Sequence, residues 1–536
     1  MAKRTAALYA FTIFMFTLIL VRIYTITASD YLTQVANRQS SYTLNITTTR
    51  GQIYDRNFIP LTNSSFEYVA AVMPCKEAMN AIAQNVKGEE RTAAFEQMRY
   101  GTPFLMKLRR GNIYSRGIDV FKVSSRYDEQ QPAVHLVGYL DGWSGEGIRG
   151  IEKAFEKELS QVGETVSATY AVDVFKRPMP GETAEIKGDS IPPKAGVVLT
   201  LDKNIQLAVQ AAAENIKEGA AVVMDVKSGD ILAAVSKPSF SPYDLEKALS
   251  AEGEPLFNRV LGAYNVGSTF KLAVAAAALK QGVSPSFSYC CQGEIEVDGI
   301  KFSCHNKDGH GWVNMKTAIE QSCNPYFIRL CREIEPENLL AVVNGLGFGR
   351  SCSLADGITA ESGSLYTVNE LENAANRANF SFGQGVLTAT PLQIAQMVSC
   401  IANGGYDVTP RLVRGWSDNG LDITDEVTFA HNRIIETAHA DLLKNYMINV
   451  VENGSGQKGK PNNGGAGGKT ASAQTGQYNE NGEEKIEAWF AGFYPADIPK
   501  YAIVIFVEGG KYGGNVASPI FKDVADRIAL LENKVK

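Results

Sequence analysis

The sequence predicts an α/β protein of the α+β kind. An antiparallel sheet flanked by helices is joined to an all-helical lobe, preceded by a smaller domain and one membrane-spanning helix. Three observations predict this. From Val197 onward, strand patterns come from both ends of the region and helical patterns from its middle, the order that suits an antiparallel sheet beside a helical lobe. Near residue 190, "EIKGDSIPPKAG" combines glycine, a proline pair and alternating charge, which marks a boundary between domains. At the start, "MAKRTAALYAFTIFMFTLILVRIYTITA" is a nearly unbroken apolar run behind Lys3 and Arg4.

That run extends from about Ala6 to Val21, is interrupted by Arg22, and resumes to Ala28. Counting a snorkelling Arg22, it approaches the roughly 20 residues a bilayer requires. Basic residues ahead of the span favour a cytoplasmic N-terminus and an exported remainder. The competing reading is a cleaved signal peptide, for which Ile26-Thr27-Ala28 is a poor cleavage site. The expected division is a cytoplasmic tip (1–5), an anchor (6–28), an N-terminal domain (29–190) and a C-terminal domain (191–536). A chain of 536 residues is too long for one compact domain. Its formal net charge of −6, with no cluster of Lys and Arg, excludes a nucleic-acid-binding footprint. Eight cysteines in this length do not make a disulfide framework.

Along the chain, "RGQIYDRNFIPLTNSSFEYVAAVMP" alternates apolar and polar residues around turn signals, as strands do. A helix-like stretch follows near Lys76–Met98, then a short amphipathic helix in "GIRGIEKAFEKEL". "VVLTLDKNIQLAVQAAAENI" reads as a strand, an aspartate cap at Asp202 and a helix. "GAAVVMDVKSGDILAAVSKP" is two apolar runs joined by the turn Lys227-Ser228-Gly229-Asp230. The stretch from about 255 to 400 is rich in helical patterns. Strands return in "GGKTASAQTG", "EAWFAGFYP" and "YAIVIFVEGG", and the chain closes on the helix "SPIFKDVADRIALLENKV".

Chemistry concentrates around "AYNVGSTFKLAVAAAALKQG". Asn265 and Gly267 mark a turn, so Ser268 opens a helix and Lys271 follows on the same face. A serine hydroxyl is a weak nucleophile until a base takes its proton. A lysine can be that base only if burial lowers its pKa, and the apolar run behind Lys271 supplies the setting. Four-residue Ser-x-x-Lys matches are common by chance, and a second one, Ser455 to Lys458, lies in a glycine-rich loop. Two further pieces strengthen the first: Ser322-Cys323-Asn324 and Lys469-Thr470-Ala471. Another Ser-x-Asn triplet, Ser417-Asp418-Asn419, reads as a hairpin turn. None of the five histidines is placed for a Ser-His-Asp triad, and a Ser-Lys mechanism needs none.

Ser-x-x-Lys, Ser-x-Asn and Lys-Thr-Gly in this order are the signature of penicillin-binding proteins and serine β-lactamases. The chain resembles a class B penicillin-binding protein, a monofunctional peptidoglycan DD-transpeptidase, over nearly its whole length. "RGQIYDRN" and "GIRGIEKAFEKEL" resemble the signatures of that family's N-terminal pedestal domain. "FSFGQGVLTATPLQIAQMVSCIANGG" is similar to a late segment of its helical lobe. The resemblance implies that Ser268 attacks the penultimate D-Ala carbonyl of a stem peptide and that Lys271 is the general base. It implies that Ser322 relays a proton to the leaving amine, and that Asn324 holds the substrate amide and helps orient Lys271. Lys469 and Thr470 would bind the substrate carboxylate, and the backbone N–H groups of Ser268 and Ser472 would form the oxyanion hole. One departure stands out: Ala471 occupies the third position of Lys-Thr-Gly, where its methyl is expected either to narrow the substrate groove or to alter β-lactam preference.

"YCCQGEIEVDGIKFSCHNKDGHGW" gathers Cys290, Cys291, Cys304, His305 and His310. Thiolate and imidazole together suit tetrahedral Zn²⁺, and some relatives of this class carry zinc here. The expected ligands are Cys291, Cys304 and His310, with Cys290 or His305 as a spare. Free thiols, or a disulfide from Cys304 to Cys290 or Cys291, are the other readings. No cofactor is expected for catalysis; a zinc ion would be structural. Implied partners are stem peptides, β-lactams, the cytoplasmic membrane and a polytopic glycosyltransferase, because no glycosyltransferase domain is evident. Three rival functions share parts of this pattern: a β-lactamase, which would need neither anchor nor pedestal; a penicillin sensor, which would carry several spans; and a non-catalytic scaffold, if Ala471 closes the groove.

Overall fold

The computed structural model describes residues 2–28, 40–424, 426, 431–478 and 482–535. Residues 29–39, where the N-terminal domain was expected to begin, lie outside these. The chain forms two compact units, and neither is a single stretch of sequence.

The first unit comprises residues 1–51, 63–126 and 161–193. It begins with helix α1 (Ala2–Thr27), which buries none of its residues against the protein. Ser41–Thr48 pairs antiparallel with Thr165–Ala171, which pairs in turn with Glu185–Lys187. In a second sheet, Ser65–Val72 lies between Phe104–Leu108 and Ile118–Ser125. The helix expected near Lys76–Met98 is two helices, Lys76–Asn85 and Gly88–Tyr100. Val86 and Lys87 are extended, and Gly88 has φ +66°, a left-handed value that costs glycine little.

The second unit holds residues 52–62, 127–160 and 194–536. The boundary expected at residue 190 is therefore crossed twice. The reason lies in the sheets and the core. Gln52–Tyr54 pairs parallel with Gly196–Val198, and Ile53, Leu61, Leu136, Val137, Ile151 and Leu159 are buried in the same core as Val197 and Leu199.

Asp202 caps helix α2 (Lys203–Ala212) by accepting the N–H groups of Asn204 and Ile205, as its position before the apolar run predicts. Strands β1 (Gly219–Asp225) and β2 (Ile231–Lys237) follow as a hairpin. Next come helices α3 (Lys271–Gln281), α4 (Met315–Glu320), α5 (Asn324–Cys331) and α6 (Thr437–Glu452). The chain returns to the sheet as β3 (Gly467–Tyr478), β4 (Glu484–Tyr494) and β5 (Tyr501–Val507), then ends in α7 (Gly513–Val535).

The five strands run antiparallel in the order β2-β1-β5-β4-β3. Both faces are covered, so alternate side chains enter different cores. Ala221, Val223, Ile503 and Ile505 pack with Val209 of α2 and Phe521 and Val524 of α7. Ala220, Val222, Val504 and Phe506 join the other core, with α3 and the helical lobe. Helix α3 is buried from Lys271 through Leu279, as a helix apolar on all sides must be. Among the described residues, strand β3 is an edge strand, with a strand partner on one side of its backbone only.

Candidate active site

Ser268 stands in a single 3₁₀ turn, Gly267–Phe270, and α3 starts only at Lys271. Gly267 has φ +54°, and a Cβ there would lie 3.0 Å from that of Ala473 and 3.4 Å from that of Ala471. The turn can sit this close to β3 only because residue 267 is glycine. Its approach is also pinned. Trp489 Nε1 on β4 donates to the Asn265 carbonyl at 2.8 Å, and Gly267 N–H donates to Gly383 O at 3.0 Å.

Lys271 is fully buried. Its Nζ donates to Ser322 O at 2.7 Å, Ser322 Oγ at 3.2 Å and Asn324 Oδ1 at 2.6 Å, and lies 5.6 Å from the Phe327 ring centre. Burial pulls its pKa down to about 8, opposed in part by the thiols of Cys323 and Cys304. Ser268 is half-buried, and among the described residues its hydroxyl makes no hydrogen bond. The sequence places Lys271 within reach of Ser268; the structure adds that the amine's bonds go to the Ser-x-Asn motif.

Ser322 adopts φ +55°, a left-handed conformation unusual for a residue with a side chain. The bend turns its hydroxyl between two lysines, because Lys469 Nζ also donates to Ser322 Oγ, at 2.9 Å. Lys469 is fully buried too, and bonds the Thr470 carbonyl at 3.0 Å. Burial, and then the charge of Lys271, hold its pKa well below the ordinary lysine value. Asn324 Nδ2 donates to Ser303 O at 3.2 Å, which sets the amide so that its oxygen faces Lys271. All three motifs thus meet at one point, with four side-chain polar atoms joined through Ser322 Oγ and Lys271 Nζ.

Ala471 corrects one expectation. Its methyl is 3% exposed and belongs to the core beneath the nucleophile turn, so it does not narrow an open groove. Alternation along β3 explains this, since Ser472 is the exposed neighbour. Ser472 Oγ accepts the N–H of Gly513 at 3.1 Å.

The cysteine segment also differs in one ligand. The potential ligand atoms of Cys291, Cys304, His310 and Cys323 all lie within 4.8 Å of one another. Cys290 and His305 are not in this set. Cys290 and Cys291 are neighbours in a strand paired with Gly311–Asn314, so their side chains leave by opposite faces. The fourth member, Cys323, lies inside the Ser-x-Asn motif and reads in sequence as its spacer. Cys304 Sγ is 3.5 Å from His310 Nδ1. A hydrogen bond from Cys323 holds the Cys304 thiol low and the Cys323 thiol high. All eight cysteines are free thiols. Three sulfurs and one imidazole make a donor set that fits a closed tetrahedral zinc site.

Residues 219–526 match the model of the penicillin binding protein transpeptidase domain. That is more than half of the chain, and the chain belongs to this family. It is a class B penicillin-binding protein, a peptidoglycan D,D-transpeptidase of the serine acyltransferase kind, and it binds β-lactams. Stage V sporulation protein D of Bacillus subtilis is 28% identical over 92% of this chain and 80% of its own length. The peptidoglycan D,D-transpeptidase MrdA of Acinetobacter baumannii is 28% identical over 72% of this chain and 64% of its own. Among solved structures, penicillin-binding protein 2 of Helicobacter pylori, in complex with MreC, superimposes with TM-score 0.65 at 22% identity. That match covers 92% of this chain and 99% of the other, and it shows the fold alone.

Proposed function

We propose that this chain cross-links stem peptides outside the cytoplasmic membrane, anchored by α1, with Ser268 as nucleophile and Lys271 as its base. One observation carries the residue roles. The polar ends of Lys271, Ser322, Asn324 and Lys469 converge within hydrogen-bond distance beside the turn that bears Ser268. Two buried ammonium groups cannot both stay charged next to one hydroxyl. The lowered pKa of Lys271 keeps a fraction of its amine neutral near neutral pH, and that fraction can accept the Ser268 proton.

The Oγ–carbonyl bond then forms and the peptide C–N bond breaks. The departing D-Ala amine takes its proton through Ser322, which lies between the two lysines. The backbone N–H groups of Ser268 and Ser472 stabilise the oxyanion. The arriving substrate carboxylate lies against Lys469 and Thr470, and its charge favours the protonated form of Lys469. An amine from a second stem peptide attacks the ester, the C–Oγ bond breaks, and the proton returns to Ser268. β-Lactams enter the same path and stop at the acyl-enzyme. A polytopic glycosyltransferase is the partner whose product this reaction requires.

Cys291, Cys304, Cys323 and His310 would hold a structural Zn²⁺, bracing the Ser322–Asn324 bend through Cys323. Metal analysis of the full-length protein should give one equivalent of zinc, lost in Cys323→Ala and kept in Cys290→Ala and His305→Ala. Retention of metal by Cys323→Ala would overturn this ligand set.

The chemical test is intact mass of the full-length, detergent-solubilised protein after incubation with benzylpenicillin, beside Ser268→Ala. One long-lived adduct on the native protein, absent from the variant, supports the reading. Loss of free penicillin without a lasting adduct would make the chain a hydrolase. An adduct on Ser268→Ala would remove the nucleophile assignment.

A further inference from the structure

The second Ser-x-x-Lys match does not form a nucleophile–base pair. Lys458 is exposed, and its Nζ donates to Asn515 Oδ1 at 2.8 Å. Ser455 instead has its Oγ 2.8 Å from Thr470 Oγ1 on β3. We propose that Ser455 is a positioning residue for the substrate's terminal carboxylate, acting through the Thr470 hydroxyl. This inference rests on the reading of Thr470 as a carboxylate ligand.

A hydroxyl has one proton to donate and two lone pairs with which to accept. A carboxylate only accepts. If Thr470 gives its one proton to the anion, the bond between the two hydroxyls must run from Ser455 Oγ to Thr470 Oγ1, a direction their 2.8 Å contact permits, since either oxygen can be the donor. The chain Ser455 to Thr470 to carboxylate then runs one way, and each bond polarises the next. Without Ser455, the Thr470 hydroxyl can turn to other acceptors, and the anion meets a donor it must first reorient.

Ser455 is built to hold this place. Its N–H donates to the carbonyl of Glu320, two residues before Ser322, at 3.3 Å. On either side, the N–H groups of Gly454 and Gly456 both bond Val450 O at the end of α6. The Glu320 carboxylate is itself bonded by Asn449 of α6. A Cβ on Gly514 would come within 3.0 Å of Ser455 O, so the first turn of α7 closes on the loop because that residue is glycine. The Ser455 main chain is thus fixed to the approach of the Ser-x-Asn motif and its side chain to the Lys469–Thr470 strand. The hydroxyl of Ser455 ties the carboxylate-binding strand to the proton-relay segment.

The test compares acylation of the full-length protein by benzylpenicillin and by its methyl ester, which lacks the anion. For Ser455→Ala, acylation by the acid should fall about tenfold, the scale of one charge-assisted hydrogen bond. Acylation by the ester should stay within about twofold, and Ser455→Thr should restore the wild-type ratio. Thr470→Val should lower the acid-to-ester ratio at least as far, with Ser455→Ala adding nothing to it. If Ser455→Ala leaves the ratio unchanged while Thr470→Val lowers it, the inference is wrong and the carboxylate reading stands. An equal fall for acid and ester in Ser455→Ala would show a merely structural role and also overturn it. If Thr470→Val leaves the ratio unchanged, the carboxylate reading itself fails and the inference falls with it.

Discussion

Lys271 donates to neutral acceptors, a carbonyl, a hydroxyl and an amide oxygen, and the thiols of Cys323 and Cys304 offset the burial of its charge only in part. Its pKa near 8 has a direct kinetic consequence. The reactive form is the free amine, whose fraction grows as pH rises. Acylation by benzylpenicillin should therefore quicken from pH 6 and level off above about pH 8, read as adduct formed against time. Lys271→Arg should lose about 10³-fold at every pH, because a guanidinium cannot shed its proton. A flat profile between pH 6 and 9 would sink the base assignment. This pair was legible in sequence because a lysine at the head of an alanine-rich helix is itself an anomaly. Ala471 was legible as an anomaly but not in its effect, since which face of a strand a residue takes depends on register. With its methyl packed under Gly267, Ala471→Gly should cost about 1 kcal/mol of stability and change the acylation rate less than twofold. A rate rise of tenfold or more would restore the groove-narrowing view.

At the scale of the element, β4 does more than complete the sheet. Glu487 and Trp489 leave it by the same face, and both engage Asn265, three residues before the nucleophile. Trp489 takes the Asn265 carbonyl, and Glu487 accepts its backbone N–H. Glu487 is buried, its Oε2 has no partner among the described residues, and burial pushes its pKa up to about 8, with the charge of Glu508 adding to the rise. The unfolded chain releases this proton near pH 4.5 while the fold keeps it to about 8, so stability falls across that window as pH rises. Glu487→Gln removes the penalty. Its melting temperature should match wild type near pH 4.5 and exceed it by about 2–4 °C at pH 8. Equal melting temperatures at pH 8 would show Glu487 ionised without penalty. The strand itself could be read from "EAWFAGFYP", but its grip on residue 265 could not, because the partners lie 222 and 224 positions apart along the chain. The same limit hid Cys323. Spacing shows which cysteines are near in sequence, whereas the cluster is set by strand alternation in 288–291 and by the bend at Ser322.

For the whole molecule, the anchor and the division of the chain are separate matters. Helix α1 has 26 residues, about 39 Å at 1.5 Å per residue, enough to cross a hydrocarbon core of about 30 Å. Removing residues 1–28 should move the protein from the membrane fraction to the soluble one and leave penicillin acylation within about twofold of wild type. Persistence in the membrane fraction would place the attachment elsewhere. Cutting at the composition boundary near residue 190 should behave differently. A glycine- and proline-rich linker reports where the chain is polar, not which core its neighbours fill. The fragment 191–536 lacks the strand Gln52–Tyr54 that pairs with Gly196–Val198. It also lacks Ile53, Leu61, Tyr127, Leu136, Val137, Tyr139, Ile151 and Leu159, all buried in the catalytic core. Each large apolar side chain stabilises by about 2 kcal/mol when buried. Eight such losses exceed the roughly 5–15 kcal/mol by which a domain is stable at all. The fragment 191–536 should therefore fail to give a cooperative melting transition or to retain penicillin, whereas 29–536 should do both. A fragment 191–536 that melts at the temperature of 29–536 would show that residues 52–62 and 127–160 contribute little to the catalytic core.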